Sequence, residues 1–446
     1  MAAPKQKSSA INIVFVLFLV SAIILAGFNG KMKEISDASF EAAKSSVTLA
    51  ISLVGVMALW LGMVRVLEAG GLMYVLAAKV KPIMLKLFPD VPADHPAMSS
   101  MLLNISANML GLGNAATPLG IKAMVELNRL NPFPGTATNA MCLFLAINTS
   151  SVTILPLGVI GVRAAANASE PASIFLPTLL ATLCSTIVGV GVALLLAKRD
   201  RAYLEKAANA KPGKVSTEDS SEDFGYEEPD YTHLVSETNY TFKALAILSF
   251  VAFVFAAIYR FYTSVDKIDF LVNELLTFWL MPALMLAIIC FGLSKGVRIY
   301  EAVTDGAKQG FDIALKIIPF LVAILVAIGM FRASGALDIL GSLLTPVTGL
   351  IGLPADVLPM ALIRPLSGGG AFGIMSALVE HSPDSYSSYL ASTMQGSTET
   401  TFYVLAVYFG AVGITKIRHA LVAAILADIT GIIVSCLLCS YFWQVL

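Results

Sequence analysis

Ser392-Thr393-Met394-Gln395-Gly396-Ser397-Thr398-Glu399-Thr400-Thr401 is a polar run that passes straight into the apolar Phe402-Tyr403-Val404-Leu405-Ala406-Val407-Tyr408-Phe409. The flanking residues are apolar enough to span lipid, which places a carboxylate and a row of hydroxyls at membrane depth. Such groups are costly in hydrocarbon unless they line protein or a water-filled cavity, so they mark a functional site. A second such stretch lies upstream, Phe144-Leu145-Ala146-Ile147-Asn148-Thr149-Ser150-Ser151-Val152-Thr153-Ile154-Leu155-Pro156. Two matching interruptions in the two halves of one chain indicate a substrate site at the bilayer midplane.

Composition agrees with that reading. Hydrophobic residues make up 57% and charged residues 13%, and the mean hydropathy is +0.80, far more apolar than a soluble domain of this length could bury. The chain reads as an all-α polytopic membrane protein. Its net charge of −1 lacks the basic surplus that tracks phosphates, so no nucleic-acid partner is expected. The five cysteines all fall in apolar runs with no histidines at ligand spacing, and read as small buried hydrophobes rather than a metal site. The first apolar stretch, behind Lys5 and Lys7, reads as a retained helix rather than a signal peptide.

From the N-terminus, Ile11 to Phe28 is a span, Asn29 to Lys44 an amphipathic link and Ser46 to Val64 a second span. Leu72 to Phe88, interrupted by Lys79, Lys81, Pro82 and Lys86, reads as an interfacial helix. Ala97 to Leu127 has Gly111-Leu112-Gly113-Asn114 at its centre, and each arm is too short to cross, so it reads as a re-entrant helical hairpin. Thr136 to Val162 is the first interrupted span, and Ile174 to Ala197 closes repeat one, residues 11–197.

Residues 198–242 turn basic, then acidic, and read as a disordered cytoplasmic linker. A connecting transmembrane helix at 243–262 follows. The pattern then returns over 275–446: a span at Leu275 to Leu293, a link at Ser294 to Gln309, a span at Ile313 to Met330 and an interfacial piece at Leu337 to Leu353. A hairpin at Val357 to Val379, the interrupted span Leu390 to Gly410 and a last span, Leu421 to Tyr441, complete it. The halves match in register: Leu61-Gly62-Met63-Val64-Arg65 answers Ile328-Gly329-Met330-Phe331-Arg332, Pro92-Ala93-Asp94 answers Pro354-Ala355-Asp356, and Thr149-Ser150-Ser151-Val152-Thr153 answers Ser397-Thr398-Glu399-Thr400-Thr401.

Each repeat has about four spanning helices, an interfacial helix and a hairpin that returns to its own side. One extra helix between them therefore inverts the second repeat relative to the first. Sidedness of Lys and Arg supports this: about twenty basic residues fall on one side and about seven on the other, which puts the N-terminus and the 198–242 linker in the cytoplasm of a bacterial cell with the protein in its inner membrane.

Gly-rich tips let backbone approach a ligand, and half-helix ends leave free N–H and C=O groups. The candidate substrate-binding residues are Gly113, Asn114 and Thr117 at the first tip, with Asn148, Thr149, Ser150 and Ser151 in the first break. From the second half come Ser367, Gly368 and Gly369 at the tip, with Gln395, Ser397, Thr398, Glu399 and Thr400 in the break. Glu399 reads either as the proton- or cation-coupling group or as a structural pair with Arg364. Asp428 is a second coupling candidate, its alternative a buried hydrogen-bond role.

Several segments resemble two related bacterial families. Phe28-Asn29-Gly30-Lys31, Gly55-Val56-Met57-Ala58-Leu59-Trp60-Leu61-Gly62 and Gly111-Leu112-Gly113-Asn114-Ala115-Ala116-Thr117-Pro118 resemble spore maturation protein A. Ala327-Ile328-Gly329-Met330-Phe331-Arg332, Arg364-Pro365-Leu366-Ser367-Gly368 and Gly396-Ser397-Thr398-Glu399-Thr400-Thr401 resemble spore maturation protein B. The resemblance implies a fusion of the two. Both families carry the nucleoside recognition or Gate domain, similar to the core of concentrative nucleoside transporters and to the pore region of the ferrous iron transporter B. It therefore implies transport through inverted hairpin repeats, but not a substrate. Such fusions also occur in bacteria that form no spores, so a role in sporulation is not carried over.

The expected function is a secondary transporter of a small polar or anionic solute, nucleoside-like solutes included. The alternative is a membrane scaffold or accessory protein in cell-envelope assembly. No P-loop ending in Gly-Lys-Ser/Thr is present, and no nucleophile–base pair stands at membrane depth, so an enzyme and a bound cofactor are not expected. The expected partners are the solute or an ion and the lipid bilayer; a homo-oligomer is left open.

Overall fold

The computed structural model describes residues 10–111, 113–208, 231–237, 240–264, 267, 270 and 279–444. Among these residues the regular structure is helical, apart from two isolated bridges, Thr136 to Lys416 and Val235 to Val297. Helix α1 (Ala10–Asn29) leads into α2 (Met32–Ala69), a single helix of 38 residues. The link expected over Asn29 to Lys44 is thus continuous with the span behind it. Nothing in the sequence punctuates that join, since neither Gly nor Pro stands between Met32 and Val54.

The same happens in the second half. α11 (Leu280–Ser294) is followed by α12 (Ile299–Ala333), 35 residues in one helix. The first part of the span expected from Leu275 falls at 271–278, outside the described residues. α2 and α12 pack along one another with backbone contact at a glycine pair. A Cβ on Gly306 would lie 2.4 Å from the Leu61 carbonyl oxygen, and one on Gly62 would lie 2.6 Å from that of Val303. Small residues at such a crossing let two helices approach where no apolar driving force exists between them.

Each long helix turns sharply into a short one. α3 (Leu72–Leu87) leaves α2 at 66°, and α13 (Ala336–Thr348) leaves α12 at 79°. Paired short helices come next, α4 (Pro96–Met109) with α5 (Gly113–Arg129), and α14 (Leu358–Ile363) with α15 (Gly368–His381). Then each half has a broken helix, α6 (Asn139–Ser150) and α7 (Leu157–Ala165), then α16 (Tyr386–Ser397) and α17 (Thr401–Ala411). α8 (Phe175–Arg199) and α18 (Ala420–Trp443) close the two halves and pack together.

Among the described residues α8, α18 and the intervening α10 (Tyr240–Thr263) are long and apolar enough to cross a membrane, as are the two bent pairs if each counts as one span. The halves interlock. α5 packs on α17 and α15 on α7, and the apolar cores are mixed: Val159 and Ile160 share one with Met360 and Ile374, while Met98 and Phe144 share another with Val404 and Phe409.

The expected disorder of 198–242 does not reach either end of that segment. Arg201–Ala208 forms α9, and 209–230 lie outside the described residues. Thr232–Leu234 is a 3₁₀ turn whose Leu234 is buried, and Arg298 donates its backbone N–H to the Leu234 carbonyl at 2.8 Å. Its neighbour Tyr231 meets Arg65, which bonds Glu68 at 2.7 Å, Asp305 at 3.0 Å and the Tyr231 hydroxyl at 2.5 Å. An apolar anchor and a charge cluster order a tail that composition alone marks as polar.

Candidate functional site

The two broken helices are built alike. α6 and α16 each have 12 residues, and each starts at a hydroxyl cap, Thr138 accepting from the Met141 N–H and Ser385 from the Ser388 N–H. Ser151 ends α6 at a φ of 32°, a conformation that strains a residue with a side chain. Residues 151–156 then run without helix, as do 398–400 in the second half.

The breaks touch each other. Glu399 donates its backbone N–H to the Thr149 carbonyl at 2.8 Å. Thr182 of α8 donates its hydroxyl to the Ser150 and Ser151 carbonyls at 3.0 and 2.5 Å, satisfying helix-end acceptors that have no intrahelical partner. Arg364, from the end of α14, donates to the Thr400 hydroxyl at 3.0 Å, to the Gln395 carbonyl at 3.2 Å and to the Thr398 carbonyl. No ion pair joins Arg364 to Glu399 or Asp428 among the described residues. The guanidinium bonds the break instead, two backbone carbonyls and one hydroxyl. Asp428 accepts from the Thr401 hydroxyl at 2.7 Å, while its Oδ1 has no partner.

Between the breaks and the paired helices lies a cavity of about 360 Å³, within the usual range for small-molecule sites. Its wall comes from both halves: Asn108 and Ser151 from the first, Arg364, Gly368, Gln395 and Glu399 from the second. Of the residues expected at the site, Ser151, Gly368, Gly369, Gln395, Thr398 and Glu399 line this cavity. Asn148, Thr149, Ser150, Ser397 and Thr400 are buried just behind it. Thr149 and Ser150 both turn their hydroxyls back to the Ala146 carbonyl, and Ser397 bonds the Met394 carbonyl. Ser367 caps α15 by accepting from the Gly370 N–H at 3.0 Å. Thr117 sits half-buried on α5 and is absent from the cavity wall; Gly113 opens α5, and the side chain of Asn114 lies outside the described residues.

A buried amide network lies beside the cavity. The Tyr408 hydroxyl donates to Asn148 Oδ1 at 3.1 Å, Asn108 Nδ2 donates to the same oxygen at 3.0 Å, and Asn104 Nδ2 reaches the Tyr408 oxygen at 3.2 Å. Tyr408 comes from the second half and the three asparagines from the first. Sequence reasoning missed Asn104, Asn108, Thr182 and Tyr408. The signal for the first two was an Asn pair four apart inside an apolar run, an expensive placement in lipid. Among the described residues no group of three or more His, Cys, Asp or Glu side chains is arranged to hold a metal ion.

The family model for nucleoside recognition, Gate, matches residues 50–166 and 314–415, which hold every cavity residue named above. Spore maturation protein A of Bacillus subtilis (strain 168) is 42% identical over 185 residues, 42% of this chain and 93% of that protein. Spore maturation protein B of the same organism is 50% identical over 157 residues, 35% of this chain and 88% of that protein. Inner membrane protein YjiG of Escherichia coli (strain K12) is 35% identical over 82 residues, 18% of this chain and 54% of that protein. No solved structure matches the chain. With helices apolar enough to cross a bilayer, likeness to both spore maturation proteins and a Gate match in each half, the chain is a membrane protein of the fused spore maturation protein A and B family, bearing the nucleoside recognition domain.

Proposed function

We propose that the protein is a secondary transporter of a small polar or anionic solute. In this reading two inverted repeats place the cavity at the bilayer midplane, and the paired helices α4–α5 and α14–α15 are re-entrant hairpins that move to open it to either side. The bias of Lys and Arg puts the N-terminus and the 198–242 segment in the cytoplasm, the membrane being the bacterial inner membrane. The chemistry is movement of solute and not bond-making, with no cofactor of its own. Glu399, half-buried on the cavity wall, carries the coupling proton or cation, and Asp428 assists it.

The observation that carries this reading is the shared cavity, walled by polar breaks from both halves. It is tested by uptake of labelled nucleosides, small carboxylates and phosphate into proteoliposomes. Asn148→Ala and Glu399→Gln should insert normally and lose uptake.

A second reading, a scaffold or accessory protein in the cell envelope, is favoured by the bonds that stitch the breaks together, Glu399 to Thr149 and Arg364 to three groups of the second break. A scaffold predicts that both substitutions leave cellular function intact.

A further inference from the structure

Arg364 is 3% exposed, yet no carboxylate pairs with it among the described residues. Three of its five N–H donors are used: one on Nη1 and two on Nη2 meet neutral oxygens, while the second on Nη1 and the one on Nε have no partner among the described residues. Its direct contacts are carbonyls and a hydroxyl, so the charge is offset only at a distance, by the Glu399 and Asp428 carboxylates, and donors remain to spare. Its planar fork suits a carboxylate or phosphate better than any other ligand.

The first turn of α15 faces the same cavity. Gly368 and Gly369 line it, and their N–H groups are helix-end donors with no partner among the described residues, because Ser367 caps only Gly370. The fit is close at this point, since a Cβ on Gly368 would lie 2.7 Å from the Thr400 oxygen that Arg364 also holds. Free N–H groups at a helix start attract negative charge. Spare donors of two different origins therefore converge on one space.

We propose that the cavity binds a small organic anion, its carboxylate or phosphate seated on Arg364 and on the N–H groups of Gly368 and Gly369. A cavity of about 360 Å³ is larger than an inorganic ion needs. The rest of the ligand lies toward the polar residues Gln395, Asn108 and Ser151 that share the wall. Glu399 shares the wall, and its carboxylate opposes an anion there, so replacing it with the neutral Gln strengthens binding. This inference rests on the cavity being the solute site of the transport reading, but not on the solute being moved.

The test is thermal unfolding of the full-length protein in detergent with uridine, uridine 5′-monophosphate, succinate and inorganic phosphate as probes. An anionic probe raises the Tm where uridine, the same ring without the charge, does not. Arg364→Gln weakens anion binding by about tenfold or more. Gly369→Pro removes one free N–H at a first-turn position that accepts proline, and weakens binding even if Arg364→Gln fails to fold. Glu399→Gln binds the anion more tightly at neutral pH. Protection by uridine alone, protection by no probe, or wild-type anion binding in both Arg364→Gln and Gly369→Pro overturns the proposal. Uptake of uridine into proteoliposomes without anion protection leaves transport standing, whereas anion protection without uptake of any probe leaves the anion site standing and sinks transport.

Discussion

The backbone N–H of Glu399 points at the carbonyl of Thr149, 2.8 Å away, so the breaks of the two halves are joined by their own main chains. Their side chains are thereby left free for the cavity or for local caps. Two residues beyond this join stands the strained Ser151. Ser151→Val puts a β-branched side chain at a φ of 32° and should cost about 1–3 kcal/mol. A fall in Tm in detergent, with Ser151→Ala much closer to wild type, checks it.

Tyr408 ties α17 to the asparagines of the first half. Tyr408→Phe keeps the ring and deletes the hydroxyl, leaving Asn148 Oδ1 with one donor fewer. The expected loss is about 1–3 kcal/mol. Gly120→Ala should be worse, because its Cβ would lie 2.0 Å from the same hydroxyl. Tyr408→Leu should partly rescue Gly120→Ala and Tyr408→Phe should not, since a Cβ at 120 would also lie 2.1 Å from the ring carbon that bears the hydroxyl. Expression level and Tm of the double variants separate the two.

Arg65→Ala leaves Glu68 and Asp305 without their shared cation and removes the guanidinium that Tyr231 meets, the Tyr231 hydroxyl still donating to Glu68. Breaking a buried pair this way costs about 3–5 kcal/mol. It should also free residues 231–236 from the body, read as faster hydrogen exchange at Leu234 and Val235. Arg65→Lys should restore little, since a point charge cannot meet three partners in one plane.

Asp200, between α8 and α9, accepts from Arg418 Nε at 2.9 Å and Nη2 at 2.7 Å, and Arg418 lies over the Tyr203 ring. Burial raises the acid's pKa, but the bonds from Arg418 and from the Tyr203 N–H outweigh it and hold the pKa below its ordinary 3.8. A depressed carboxylate adds stability above its unfolded pKa and loses it as pH falls through the folded one. Hydrogen exchange of α9, corrected for intrinsic rate, should therefore accelerate below about pH 4 in wild type. Asp200→Asn should show the faster exchange at every pH.

Part of the cavity wall is legible in the residues alone, because hydroxyls and a carboxylate inside apolar runs are costly in lipid, and Ser151, Gln395 and Glu399 line it. Helix ends were harder. Asn29 to Lys44 is charged enough to suggest a separate link, yet with no Gly or Pro after Met32 the helix simply continues. Tyr408 was invisible for another reason: its partner Asn148 is 260 positions away, and within Phe402 to Phe409 it reads as one more member of an apolar run. Pairings that cross between the halves leave no local mark. The buried Arg364 was noticed, but its preference for carbonyls over Glu399 follows from how the break folds and not from charge.

The crossed packing of α5 on α17 and of α15 on α7 bears on how the polypeptide is made. Neither half can finish its own pocket, so a ribosome releasing them as separate products would leave each waiting for a mate. Encoding both in one reading frame guarantees equal supply and replaces a search across the membrane with a tether. Severing the tether within 209–230 and expressing the pieces together should still yield a working pair, whereas either piece by itself should be degraded.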